Sequence, residues 1–282
     1  MAKWTLGIIA TFSLLLLVAI TALLFYGAFP FFTQYSLFDF LTGRYWRPVA
    51  ETPMFGLLPL LWGSLMVTFI AMLFALPLGI STALYFNGVA SARVREIMKP
   101  IIELFGSVPS VVYGLFGLVI LAPFAQKALS LPVGQCALVA GTALGLMVIP
   151  TVVSVSEDAL SAVPRALIEA SHALGATRWE TLMRVVLPAA KSGIIASILL
   201  GLGRAIGETM TVLMVAGGAA QLTASPLKPV RPITLTIAAE MGETPVGSIH
   251  YHSLFAIGVV LFAITLIINI IANKYAKSST DR

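Results

Sequence analysis

The decapeptide GLGRAIGETM, Gly201–Met210, sets Arg204 and Glu208 four residues apart in a run that is otherwise apolar, with GIIASILLGLG leading into it and TVLMVAGGAA following. At that spacing both side chains lie on one face of a helix. One chemistry open to them is mutual neutralisation as a buried ion pair. The other is anion handling: a guanidinium offers five donors in a planar fork suited to a tetrahedral oxyanion, while the carboxylate holds or gates it. Arg preceding Glu is the less favourable order for a helix-stabilising pair, so local stability is a weak reason for keeping both. Three glycines share the stretch. Gly201, Gly203 and Gly207 lack the spacing of a dinucleotide loop and follow no strand. Gly203 and Gly207 instead form a Gly-x-x-x-Gly pair, predicted to admit a neighbouring helix closely.

The elements that must position these groups are membrane spans. Of 282 residues 59% are hydrophobic and only 10% are charged, against about 25% charged in soluble domains. Six apolar stretches are long enough to cross a hydrocarbon core about 30 Å thick: 7–29, 58–86, 101–125, 137–156, 193–222 and 253–273. The expected fold is all-α, a single polytopic domain over 1–282. The first stretch follows Lys3 but has too long an apolar run, and no convincing cleavage site, for a secretory signal, so it is read as a retained span. Basic residues concentrate on one side. With both termini cytoplasmic, the inner segments hold Lys3; Arg93, Arg95 and Lys99; Arg165, Arg178, Arg184 and Lys191; and Lys274, Lys277 and Arg282. The outer segments hold Arg44, Arg47, Lys127, Lys228 and Arg231. This asymmetry orients the chain. It also accounts for the net charge of +5 without nucleic acid, for which no module is visible. Arg204, eleven residues beyond Gly193, then falls about 16 Å along its helix, near the bilayer midplane. A charge there costs about 2.5–3.5 kcal/mol on insertion scales, and intramembrane ionisable groups are functional candidates by default.

Other chemistries lack their residues. Cys136 is the single cysteine and is read as a packing residue. His250 and His252, near the outer end of the last span, have no further ligands around them and are read as interfacial. A membrane enzyme would need a nucleophile, base or metal cluster at one depth, and three scattered histidines do not supply one. A P-loop needs Gly-Lys, and the chain has no such pair.

The connecting segments differ in character. Segment 30–57 is rich in Phe, Tyr and Trp, suited to an interfacial layer or to docking something external. Segment 126–136 is short. Segment 223–252 opens with ASPLKPVRP, whose prolines preclude a helix, followed by a short helix in ITLTIAAEMGE. The cytoplasmic segment 157–192 is predicted to form two short helices. One starts near Pro164 and stops at Gly175. The other is capped by Thr177, with Glu180 at capping-box spacing, and closed by Pro188.

Within that segment, EASHALGATRWETLMRVVLP resembles the coupling loop of ABC importer permeases: an EAA triplet, Gly at the seventh position, an aliphatic residue at the seventeenth, and a final Leu-Pro. The matching positions are Glu169, Ala170, Ser171, Gly175, Val185, Leu187 and Pro188. Ser171 replaces the usual Ala and Val185 the usual Ile. LGLGRAIGETMTVLMVAGG, FLTGRYW, PLGISTALYF and GSVPSVVYGLFGL extend the likeness from about residue 35 to 272, to the C-type permease subunits of phosphate-specific (Pst) ABC importers. The A-type variant has Ala before the Arg and Ala-Pro after the Glu-Thr, whereas Gly203 and Met210 stand here.

The resemblance implies a type I ABC importer permease in the inner membrane, non-catalytic itself. It binds no cofactor; ATP and magnesium belong to two separate ATP-binding subunits that the 169–188 loop engages. It implies an A-type permease as heterodimeric partner and a periplasmic or lipid-anchored phosphate-binding protein outside, with alternating access in between. Arg204 and Glu208, with Thr209 beside them, are the implied phosphate pathway. Glu103 is expected at the inner edge of span three as an interfacial charge. Pro109 is expected to kink that span, with Ser110 and Tyr113 as further lining candidates. Sulfate or molybdate transport, or a scaffold or sensor built on the same fold, are the alternatives.

Overall fold

The computed structural model describes residues 2–277; Arg282 therefore lies outside the described residues. In lipid the backbone must satisfy its own hydrogen bonds, so apolar runs fold as helices. Helix α1 (Ala2–Gln34) is followed by the short α2 (Leu37–Thr42) and a small antiparallel ladder, β1 (Trp46–Arg47) with β2 (Met54–Phe55), in which Trp46 faces Phe55. Then come α3 (Leu58–Gly88) and α4 (Ala92–Ser107). Next, α5 (Ser110–Phe116) continues through a π turn at Gly117–Leu121 into α6 (Ala122–Ala128), and α7 (Ala137–Ser161) follows. Helices α8 (Arg165–Ala173), α9 (Arg178–Thr181) and α10 (Leu187–Ala189) precede α11 (Lys191–Gly207), α12 (Met210–Val215), α13 (Ile233–Glu240) and α14 (Ile249–Lys277). Among the described residues five helical stretches are long and apolar enough to cross a membrane. A sixth results if Arg178–Ala189 and Lys191–Gly207, bent by 69°, count as one span.

Helices α3 and α7 form the axis of the bundle and run parallel. A Cβ built at Gly141 would lie 2.5 Å from the Ile70 side chain, and one at Gly79 2.7 Å from Val152. Only glycine permits so close an approach at these points. Helix α11 crosses α7 antiparallel, with Gly193 against Ala159, Ser197 hydrogen-bonded to Ser156 at 2.8 Å, and Gly201 against Val148 and Val152. Helix α14 runs antiparallel to α1, where Gly27 meets Phe255 and Gly258 meets Leu24.

Two expected spans are corrected. The apolar run 101–125 does not form one helix: α4 ends at Ser107, Val108 and Pro109 are extended, and α5 begins anew. Proline disfavours helix at the residue before it, and here that preference breaks the helix outright instead of kinking it. The run 193–222 is likewise interrupted, since α11 stops at Gly207, Glu208 is extended with ψ 132°, and α12 ends at Val215. The Gly203–Gly207 pair is not the close contact either. Nothing lies within 4 Å of a Cβ at Gly207, whereas Gly201 packs on α7.

Buried side chains form three clusters. The central one, along α3, α7 and α12, is built on small residues such as Ala71, Ala140 and Ala143 with Val148 and Val215. At the end reached by the C-terminus of α1, Phe31, Phe40, Trp46 and Phe55 pack with Leu254 and Ile257. Much of the aromatic content of 30–57 is thus core, held by edge-to-face contacts such as Phe31 with Phe40 at 5.2 Å, while Phe38 and Tyr45 stay exposed. Large rings bury more area than they would keep at an interface. At the opposite end Ala83, Leu160, Leu182, Val186 and Ile194 anchor α8–α10 beneath the bundle.

In that anchored segment Pro164 is the N-cap of α8, Gly175 has φ +82°, and Thr177 and Glu180 form a reciprocal capping box. Pro188 does not close the second helix as expected. A π turn at Leu182–Val186 precedes it and the helix continues to Ala189. The wider turn accommodates the missing donor and the bulk of the proline ring. The π turn before Pro123 follows the same logic.

Candidate functional site

Arg204, on the last turn of α11, lies where α11, α7 and α4 converge. Its Nη1 donates to Thr151 Oγ1 at 2.7 Å, and its Nη2 donates to the carbonyl of Gly106, at the end of α4, at 3.4 Å. Pro150, beside Thr151, approaches Gly106 so closely that a Cβ there would sit 3.3 Å from its Cβ. Tyr113 of α5 is within electrostatic reach of Arg204, and its hydroxyl donates to Phe105 O at 2.8 Å. A cavity of about 470 Å³ adjoins these residues, lined by Phe105, Val108, Val112, Tyr113, Ile149 and Pro150 among others. Arg204 itself is half-buried and is not among the residues that line this cavity.

Glu208 does not neutralise that cation. Among the described residues Arg204 has no carboxylate within ion-pair distance. The Glu208 Oε1 accepts the backbone N–H groups of Met210 at 3.0 Å and Thr211 at 3.2 Å, and the Glu208 carbonyl accepts Thr234 Oγ1 at 2.7 Å. Helix α11 ends at Gly207, so the i, i+4 geometry that would bring the two charges together is absent. Glu208 instead joins α11 to α12, whose first N–H groups have no intrahelical partner. Thr209 occupies the break, its hydroxyl turned back to Gly207 O. The Ser110 carbonyl accepts the Thr211 hydroxyl at 3.0 Å, which ties α5 to α12.

Glu169 and Ala170 are exposed on α8, while Ser171 is buried and hydrogen-bonds Thr181 at 2.9 Å. That bond stitches α8 to α9. Gly175 is exposed at the turn between them, Leu187 is half-buried, and Pro188 is exposed. Leu174 and Trp179 stand exposed on the same knob.

His250 and His252 do not converge. His250 Nε2 meets Glu240 at 2.7 Å, and His252 Nδ1 meets Gly27 O at 2.7 Å. Glu240 also accepts from Arg231 at 2.7 Å and from the Trp46 indole at 3.1 Å. Among the described residues no three His, Cys, Asp or Glu side chains converge on a metal position. Cys136 is fully buried as the N-cap of α7.

Two positions escaped the sequence reading. Thr151 carries no sequence signal beyond lying one residue after a proline in an apolar run. Glu157 opens the expected cytoplasmic segment 157–192, yet it is a buried carboxylate on α7, paired with Arg95 and with Lys99 at 2.5 Å. Its signal was the pair of cations at i, i+4 on the neighbouring segment. Those bonds, opposed by some desolvation, hold the Lys99 ammonium above the ordinary lysine range. Glu103 lies on α4 and lines a second cavity with Arg95 and Lys99.

Residues 75–279 match the family described as binding-protein-dependent transport system inner membrane component. The chain belongs to this family. It is accordingly a multi-pass membrane transport subunit. The permease is 38% identical over 232 residues to the "Probable ABC transporter permease protein YqgH" of Bacillus subtilis, covering 82% of this chain and 75% of that one. It is 35% identical to the "Phosphate transport system permease protein PstC" of Mesorhizobium japonicum, covering 92% and 84%. With the protein of the same name from Haemophilus influenzae it shares 31% identity, covering 96% and 90%. Among solved structures, the alginate ABC transporter in complex with its pentasaccharide-bound periplasmic protein superposes with a TM-score of 0.67 at 18% identity over 98% of this chain and 94% of that one. The inward-facing MetNI methionine ABC transporter gives 0.60 at 20% identity over 77% and 93%. These show that the permease has the type I ABC importer fold.

Proposed function

We propose that this permease is the C-type subunit of an ATP-driven phosphate importer and that phosphate passes Arg204. The observation that carries the reading is a half-buried arginine that, among the described residues, is held by neutral acceptors, Thr151 Oγ1 and Gly106 O. Its charge is left for a mobile anion. The PstC relatives, at 31–35% identity over more than nine-tenths of the chain, support phosphate as that anion. Phosphate entering an inside-negative cell is opposed by about 2.3 kcal/mol per charge per 100 mV, which calls for coupling to ATP. A single cation, without a cage of further donors, suits a path that must release its cargo.

In this reading both termini are cytoplasmic, which the bias of basic residues supports. The knob from Glu169 to Pro188 seats in a groove of one of two ATP-binding subunits, which carry ATP and magnesium while this chain binds no cofactor. An A-type permease completes a pseudo-twofold pair, and a phosphate-binding protein delivers its ligand to the aromatic end of the bundle. Closure of the ATP-binding subunits moves the knob, and the path opens alternately outward and inward past Arg204, with Glu208 and Thr209 forming the break beside it.

The test is uptake of radiolabelled phosphate, with sulfate as comparator, in cells lacking this chain and complemented with native protein or Arg204→Lys at equal membrane abundance. Phosphate uptake restored by native protein and lost in Arg204→Lys supports the reading. Normal transport by Arg204→Lys removes the guanidinium from the path, and sulfate uptake alone overturns the substrate.

A further inference from the structure

Glu157 is an unusual residue to bury. Its side chain is 1% exposed on the last turn and a half of α7, with Arg95 on one carboxylate oxygen and Lys99 on the other. Ser161 donates to it at 3.0 Å and accepts from Arg95 at 2.9 Å; Asp158 reaches Lys99 at 3.4 Å. Only the carboxylate is buried, since Arg95 and Lys99 keep 39% and 34% of their side chains exposed. Burying a carboxylate costs desolvation that such partly solvated partners offset poorly, so stability alone is a poor reason for this cluster; fixing a register or serving as a switch is the better-attested use. The partner helix supplies the reason for a register device. No residue of α4 is buried, so α4 is not seated by a core of its own. Its last turn nonetheless carries the Gly106 carbonyl that faces Arg204. The other acceptor of Arg204, Thr151, lies on α7 six residues before Glu157, about 9 Å along the helix. Lys99 and Gly106 are seven apart on α4, about 10 Å. The cluster therefore clamps together the two helices that hold the guanidinium, at a similar distance from it along each.

We propose that Glu157, with Arg95 and Lys99, is a latch that positions α4 on α7 so that Gly106 and Thr151 restrain Arg204, and that releasing it hands the guanidinium to the passing anion. The latch also sits immediately before α8, so movement of the knob reaches it first. The second half of the proposal rests on the reading of Arg204 as the anion contact; the clamping of α4 does not.

The experiment uses the whole transporter, assembled with its partners in liposomes, in a Cys136→Ala background. Gly106→Cys and Pro150→Cys report on the α4–α7 separation, since their Cβ atoms would lie 3.3 Å apart, near the distance of about 3.5–4.5 Å that a disulfide spans. Arg95→Gln/Lys99→Gln/Glu157→Gln removes the latch without leaving a buried charge unpaired. The expected result is at least a tenfold slower crosslink and, without the reporter cysteines, at least a tenfold loss of phosphate imported per ATP hydrolysed. A merely structural role would lower abundance and ATP hydrolysis together and leave that ratio unchanged. An unchanged crosslinking rate overturns the latch. A slower crosslink with unchanged coupling overturns its link to Arg204. If the triple variant fails to assemble, Lys99→Gln alone should slow the crosslink severalfold, and an unchanged rate there is equally fatal. Normal transport by Arg204→Lys would instead sink the anion reading and leave the crosslinking result standing.

Discussion

Thr151 and Glu157 stand six residues apart on α7, and each holds a cation from a different helix: Thr151 takes Arg204 of α11 at 2.7 Å, and Glu157 takes Lys99 of α4 at 2.5 Å. Helix α7 is thus the post to which both sides of the candidate path are fastened. The same helix packs along α3 and runs directly toward the α8–α10 knob.

Thr151→Val keeps the shape of the side chain and removes its oxygen. Without that oxygen Arg204 is restrained, among the described residues, by the Gly106 carbonyl alone, so phosphate imported per ATP hydrolysed should fall severalfold. Thr151→Ser, which retains the acceptor, should transport close to normally in the same radiolabel assay.

Glu208→Ala should act through the joint between α11 and α12. Loss of a capping carboxylate costs about 1 kcal/mol, seen as a lower melting temperature of the purified complex. Because Glu208 and Arg204 share no bond, the stability effects of Arg204→Gln and Glu208→Gln should add within about 0.5 kcal/mol. A larger coupling energy in the double variant would show a direct pair.

Gly141→Ala and Gly207→Ala should move stability in opposite directions. A methyl at Gly141 meets Ile70 at 2.5 Å, and overpacking of this kind costs about 1–3 kcal/mol. At Gly207 nothing lies within 4 Å and the backbone is not left-handed, so alanine there fits without strain and gains about 0.4–1 kcal/mol by restricting the unfolded chain. Thermal unfolding of the detergent-purified complex decides both.

Lys99 makes the latch sensitive to alkali. Its folded pKa is raised above the ordinary 10.5, first by the hydrogen bond to Glu157. A raised value means the contribution is complete below 10.5 and is lost as pH climbs through the folded pKa. Native protein and Lys99→Gln should therefore differ in melting temperature at neutral pH and converge only above that point.

Apolar runs made the long helices legible, and local rules placed Pro164, Gly175 and the Thr177–Glu180 box, because each depends on neighbours within one turn. The breaks at Val108–Pro109 and Glu208–Thr209 were not legible, since hydrophobicity continues across both and only backbone geometry interrupts. Nor was the partner of Arg204. Thr151 is 53 residues away in the chain, and nothing in its own neighbourhood distinguishes it from other threonines in apolar helices. Glu157 was misplaced for the reason that makes it informative: a charge ends an apolar run in sequence, whereas in space Arg95 and Lys99 let the helix carry it onward to Ser161. Glu208 stands out in the sequence as a charge in an apolar run, but whether it pairs with Arg204 stays open there, because the helix break at Glu208 that separates the two has no signal in the residues.

The parallel alignment of α3 with α7 bears on biogenesis. Two parallel spans cannot enter a bilayer as a hairpin, so the intervening α5–α6 segment must cross first. The face of α3 that carries Gly79 and Ile70 has only lipid, or a transient escort, against it until synthesis passes Ser161. Truncated nascent chains released before that point should be captured by membrane chaperones and quality-control proteases, and those released after it should escape. The decisive moment in the maturation of this permease is the arrival of its fourth long apolar helix, well before the Arg204 segment leaves the ribosome.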